Sequence, residues 1–266
     1  MKKAIINSLP KAGTNLLAKC LKLLGYREQG GIGSFLVSPT TIKGRVRRLL
    51  WQNPENAYSV GIDSPIKLPK RAIHNILGNV GEDGFLSAHL GYSDELLLKV
   101  LEMEFVPLLI VRDPRAVLAS FVPFVASYKP HALHRKFLNM TKKEQYWAAF
   151  KGGCFGSVEL ASMLVRCEAM EPWHAHDAVM KVRFEDIVGF GGGGSDVRQV
   201  QTLRLFCQAL ELPEDSADIV SEQLFGQGRG TFRRGQIDSW REELPQELIC
   251  EAERELAPVL QQWGYN

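Results

Sequence analysis

The chain has 266 residues and only five cysteines: Cys20, Cys154, Cys167, Cys207 and Cys250, no two close in sequence. An odd, dispersed set argues against a disulfide framework or a Cys-rich zinc site and predicts reduced core thiols in a cytoplasmic protein. Long apolar runs are missing too. No segment reaches the roughly 18 apolar residues of a membrane span, and the run after Lys3 breaks at Asn7, too early for a signal peptide. Charge of one sign is scarce: 32 Lys+Arg against 30 Asp+Glu leave +2, too little to hold nucleic acid or a membrane by bulk electrostatics. His131/His134 and His174/His176 lack cysteine or carboxylate companions at ligand spacing, so no metal is expected. No Gly-x-Ser-x-Gly points to a serine hydrolase. "GQGRG" at 226–230 follows no strand and opens no helix, unlike a dinucleotide fingerprint.

What is present is a soluble globular composition, 45% hydrophobic and 23% charged, patterned as alternating strands and helices. Lys3–Leu9, Gly84–Leu90, Phe105–Val111 and Ala178–Phe184 read as strands. Thr14–Leu24, stopped by Gly25, then Glu95–Met103, capped by Ser93, and Val197–Leu210 read as helices. A last helix from Pro245 must bend or break near Pro258. The alternation predicts one α/β domain over 1–266, a parallel sheet with helices on both faces. Three stretches interrupt it: 30–58, rich in turns and basic residues; 121–146, mixing aromatics with cations; and the glycine-rich 190–195, expected to be a flexible loop.

Three clusters carry chemistry. "SLPKAGTNLL" turns a strand into a helix at Gly13, aiming backbone N–H groups and the positive helix end at an anion, with Lys11 and Thr14 adding a charge and a hydroxyl. Lys11 precedes the glycine, so the Gly-Lys-Ser/Thr of a nucleotide-kinase loop is absent. "VRDPRAVLAS" sets Arg112 at a strand's carboxyl end and Ser120 eight residues on, about two helical turns away. "FRRGQIDSW" places Arg233 and Arg234 before Gly235, a pairing suited to bidentate oxyanion capture. Each alone also suits an ordinary turn, a capping arginine or a solvated basic loop.

Together and in this order the clusters resemble the sulfotransferases that use 3′-phosphoadenosine 5′-phosphosulfate (PAPS). "KVRFEDIVG" and the terminal "WGY" resemble further motifs of that family, and the glycine-rich insertion resembles its bacterial members. The resemblance implies a P-loop-like fold and residue roles. Lys11, Ala12, Gly13, Thr14 and Asn15 would take the 5′-phosphosulfate; Arg112, Ser120, Arg233, Arg234 and Gly235 the 3′-phosphate. Phe184 would lie beside adenine, and His89 in "FLSAHLG" would be the general base. Asn15, Leu16 and Ser87 stand where the family usually has threonine, tryptophan and lysine, and the late motif lacks its second glycine.

Sulfuryl transfer needs what phosphoryl transfer needs: in-line geometry and relief of charge on the leaving phosphate, here by a lysine and amides without a metal. A neutral histidine suits removal of the acceptor's proton. The expected product is adenosine 3′,5′-bisphosphate, and the acceptor is a small molecule or glycan, with 30–58 and 121–146 as its pocket. Two other readings stand beside this one: a P-loop-related kinase using ATP, and a non-catalytic nucleotide-binding protein of the same fold.

Overall fold

A computed structural model describes residues 1–38, 41–51, 55–226 and 235–265. β1 (Lys3–Ser8) sends Ala4 and Ile6 to one side and Ile5 to the other, and both sides are buried. Next come α1 (Thr14–Leu23), β2 (Arg27–Ile32), α2 (Ile42–Leu50), a hairpin of β3 (Ala57–Val60) and β4 (Ile66–Pro69), and α3 (Lys70–Gly78). β5 (Gly84–Ala88), α4 (Asp94–Glu102), β6 (Phe105–Val111) and α5 (Pro114–Ser127) continue the alternation. After them the chain forms α6 (His134–Leu138), α7 (Lys142–Lys151), a hairpin of β7 (Gly153–Phe155) and β8 (Val158–Leu160), α8 (Met163–Glu168) and α9 (Glu171–Ala175). β9 (Met180–Arg183), α10 (Phe184–Ile187), α11 (Asp196–Ala209), α12 (Ser216–Leu224), α13 (Trp240–Glu243), α14 (Gln246–Glu255) and α15 (Ala257–Gln262) complete it.

Five strands pair in parallel in the order β2-β5-β1-β6-β9. A parallel sheet must be covered on both faces, which is why β6 is continuously apolar and β1 carries Ala4-Ile5-Ile6 at its centre. On one face Ala4, Ile6, Leu108 and Ile110 pack with α1, α11 and α12; on the other Ile5, Leu86, Leu109 and Val111 pack with α3, α4 and α5. The result is a single-domain α/β fold with its parallel sheet flanked by helices. Among the described residues, no helix is long and apolar enough to cross a membrane.

The helix ends obey local rules. Asp113 accepts from the Arg115 amide at 2.8 Å, with Pro114 at the first helical position of α5. The C-terminal helix breaks between Glu255 and Ala257, and Pro258 sits in the first turn of α15.

Several expectations need correction. Residues 30–58 are not irregular throughout: β2 joins the sheet edge beside β5, α2 is a nine-residue helix, and β3 is a strand. Within 121–146, residues 121–127 continue α5 through Pro123, because the helix is buried and packing compensates the missing N–H. The glycine-rich stretch is a built turn. Gly192 is buried, its carbonyl accepts from the Ile237 amide at 3.1 Å, and Gln236 donates to the Gly191 carbonyl at 2.9 Å. Of the cysteines, Cys20, Cys167 and Cys207 are core thiols, but Cys154 and Cys250 are exposed.

Candidate active site

Adjacent strands β5, β1, β6 and β9 release the chain at the same sheet edge, at His89, the Leu9–Gly13 turn, Arg112 and Phe184. The carboxyl ends of parallel strands are where open α/β sheets bind ligands. A cavity of about 430 Å³ opens there.

The turn after β1 is strained in a useful way. Lys11 has φ +74° and Gly13 φ +114°, so Gly13 is a position that favours glycine. A Cβ on Gly13 would also lie 2.8 Å from both Ile110 Cδ1 and Phe184 Cδ2. The tight turn brings Gly13, Thr14 and Asn15, the start of α1, to the cavity wall. The first N–H groups of a helix have no intrahelical acceptor, and the macrodipole makes that end positive. The Thr14 and Ser8 hydroxyls are 2.6 Å apart, which fixes the threonine side chain. Ala12 behaves differently. It is buried in the core, and its amide closes the turn on the Leu9 carbonyl at 3.1 Å, so it does not line the cavity.

Lys11 lines the cavity with its ammonium 4.3 Å from the Phe124 ring centroid. Arg112, almost fully buried, lies 4.1 Å over the Phe184 ring. Its guanidinium donates to the Gln236 carbonyl at 2.9 Å and, more weakly, to the Lys11 carbonyl at 3.5 Å. One side chain thereby ties the first loop to the late one. Ser120 and Gly235 (φ +65°) line the same cavity. Arg233 and Arg234 lie outside the described residues.

His89 comes directly after β5. Its Nδ1 is 2.8 Å from the Ser8 carbonyl oxygen. A carbonyl only accepts, so Nδ1 carries the proton and the neutral ring keeps its lone pair on Nε2. Burial pushes the imidazole below its ordinary value of 6.5, against weaker upward pulls from the Ser8 carbonyl and the Asp63 carboxylate. Near neutrality this ring is an uncharged proton acceptor lining the cavity.

Behind the site, residues of the "FED" and "WGY" segments meet. Tyr265 donates to Glu185 at 2.6 Å, and the other Glu185 oxygen accepts from the Asp113 amide at 3.2 Å. Burial raises the Glu185 carboxyl above the usual carboxylate range. This contact holds the residue after Arg112.

Among the residues not singled out as ligands from sequence, Lys19, Glu28, Phe35, Phe124 and Gln236 also line the cavity. Glu28 arrives on β2, pairs with Lys22 at 2.8 Å and accepts weakly from Ser87 at 3.5 Å. Lys19 is one turn past Asn15 on α1, a spacing visible in sequence; Glu28 becomes a neighbour only through the unpredicted edge strand.

No family model matches the sequence, and no curated protein matches it. Solved structures do share its architecture. Mouse sulfotransferase SULT7A1 complexed with PAP is 14% identical, with a TM-score of 0.57 over 97% of this chain and 84% of that one. Retinol dehydratase in complex with androsterone and inactive cofactor PAP is 16% identical, with a TM-score of 0.57 over 97% and 80%. The architecture is the sulfotransferase fold.

Proposed function

We propose that this chain is a PAPS-dependent sulfotransferase, moving a sulfuryl group to a hydroxyl or amine by in-line displacement. The observation that supports the reading is Arg112 bonding the Lys11 and Gln236 carbonyls, which draws together around one cavity three segments whose sequences suit an anion. The cavity volume falls in the range of about 300–1,000 Å³ usual for small-ligand sites. Its wall offers Lys11, Lys19 and Arg112, a helix start and an aromatic face at Phe184. That donor set suits an adenosine nucleotide with phosphates at both ends. PAP, the nucleotide left by such a transfer, is bound in both solved neighbours.

When bound, PAPS supplies the sulfuryl group and a phosphate leaving group. The Gly13, Thr14 and Asn15 amides orient the phosphosulfate, with Ala12 keeping the turn closed. Lys11 offsets charge gathering on the leaving oxygen. Arg112, Ser120 and Gly235, with Arg233 and Arg234, take the 3′-phosphate, and Phe184 flanks adenine. His89 Nε2 takes the acceptor's proton. Phe35 and Phe124 bring the 30–58 and 121–146 segments to an acceptor, a small molecule or glycan. A cytoplasmic setting suits the exposed thiols of Cys154 and Cys250.

Calorimetric titration tests the donor: adenosine 3′,5′-bisphosphate should bind far more tightly than ADP. Label from radioactive PAPS should then appear on one of a phenol, alcohol, amine or glycan. Equal affinity for both nucleotides, or label that never leaves the donor, defeats the reading.

A further inference from the structure

α2 is built inside out. Its sequence, IKGRVRRLL, is capped by the Thr41 hydroxyl, which accepts from the Gly44 amide at 3.0 Å. Gly44 is the buried residue of the helix and packs on the Ser38 backbone, where a Cβ would come within 2.1 Å of the Ser38 carbonyl oxygen. At about 100° per residue, Ile42, Val46, Leu49 and Leu50 form one stripe on the side opposite Gly44. These four are 74%, 48%, 72% and 74% exposed. A helix of a globular protein normally turns such a stripe inward. Here the stripe faces solvent.

Cations flank it. Lys43 and Arg45 border the stripe on either side, and Arg47 and Arg48 lie farther round. From 29 to 54 the chain has these four cations and no aspartate or glutamate. The near-neutral net charge of the whole chain conceals this local excess. An exposed apolar stripe with basic borders is complementary to an anionic bilayer surface: lipid tails receive the leucines and headgroups the arginines.

We propose that α2 is a membrane-surface anchor that lies in the interface of an anionic leaflet without crossing it. The proposal concerns where the protein sits and is independent of the reaction assigned to the cavity. Phe35, which lines that cavity and is half exposed, belongs to the same segment, so docking would set this wall of the cavity toward the lipid.

Sedimentation with vesicles tests it, using phosphatidylcholine alone and an equal mixture of phosphatidylcholine and phosphatidylglycerol. The full chain should pellet with the mixed vesicles, remain soluble with the neutral ones, and be released by high salt. Lys43→Ala/Arg45→Ala, which removes the two cations bordering the stripe, should weaken partition about fivefold for each charge removed. Leu49→Gln/Leu50→Gln should weaken it about tenfold or more for each leucine. Both variants change exposed side chains, and far-UV circular dichroism with thermal melting verifies that they fold. Three results overturn the proposal. One is equal pelleting with neutral and mixed vesicles. Another is binding lost without Lys43 and Arg45 but unchanged without the leucines, the mark of a soluble polyanion site. The third is no pelleting at all, including the case of a dimer that Leu49→Gln/Leu50→Gln splits, in which a second copy covers the stripe.

Discussion

Asn7 and Leu90 exchange two buried hydrogen bonds: Leu90 N–H donates to Asn7 Oδ1 at 2.8 Å, and Asn7 Nδ2 donates to the Leu90 carbonyl at 3.1 Å. The pair staples the segment after β5 to the end of β1, and His89 sits inside the staple with its ring on Ser8. Asn7→Ala leaves a buried N–H unsatisfied and should cost about 1–3 kcal/mol, read by denaturant unfolding. It should also lower turnover by misplacing His89, with little change in nucleotide affinity. Unchanged stability would show that water replaces the amide.

His89→Ala should leave nucleotide affinity nearly intact while turnover falls by about 10²–10⁴. As the proposed base, His89 works only when neutral. Because burial lowers its pKa, the wild-type rate should hold down to a pH below 6.5 and fall only when acidified further. An already anionic acceptor, such as a nitrophenolate, needs no base and should lose much less. Equal losses with acidic and non-acidic acceptors in a folded variant would refute the role.

Lys11→Ala should slow the chemical step by about 10²–10³, the usual effect of losing one preorganised donor. Adenosine 3′,5′-bisphosphate has no sulfuryl group and should lose less affinity. Turnover at the wild-type rate would dismiss the assignment.

Arg112→Ala should weaken 3′-phosphorylated nucleotides by about 1.5–3 kcal/mol, as expected for a charged contact, and their 3′-dephospho forms much less. Arg112 also holds the Lys11 and Gln236 carbonyls. Equal losses for both nucleotides would make it a loop clamp with no phosphate contact.

Gly192→Ala tests the glycine turn. Its new Cβ would lie 2.2 Å from Val188 Cγ2 and 2.7 Å from the Gly235 carbonyl oxygen. The late loop must shift, and affinity for adenosine 3′,5′-bisphosphate should fall about tenfold, roughly 1.4 kcal/mol. Calorimetry that finds no loss would separate this turn from the site.

The features legible in the sequence are those that local chemistry determines. The apolar Phe105–Val111 matches β6 residue for residue because burial on both faces demands an unbroken run. The Asp113-Pro114 start and the Pro258 break come from caps and missing amides. The turn at Gly13 is visible for the same reason. β2 is not: Arg27-Glu28-Gln29-Gly30-Gly31-Ile32 has one apolar residue, and its strand exists through pairing with β5 at the edge. α2 is hidden because its stripe faces away from the core, and its arginines and glycine resemble a loop. The aromatics of 121–146 divide on contact: Phe121 and Tyr146 are core, Phe124 lines the cavity, and Tyr128 stacks on Phe124 at 5.3 Å. Alternation of apolar residues cannot report which wall a side chain will meet.

The strand order β5-β1-β6-β9 has a consequence for assembly. Cavity groups come from positions as far apart as Lys11 and Gly235, so the site is made of contacts between distant parts of the chain. Loop closure must be completed before any of them meet, which makes such pairings slow to form. No fragment that lacks either the first strand or the late loop holds a complete cavity. A ligand filling it therefore acts as a cross-brace between the two ends of the chain. At about a hundredfold excess over its dissociation constant, such a ligand adds about 2.7 kcal/mol to the stability of the whole fold. Resistance to proteolysis should rise with ligand at both ends together.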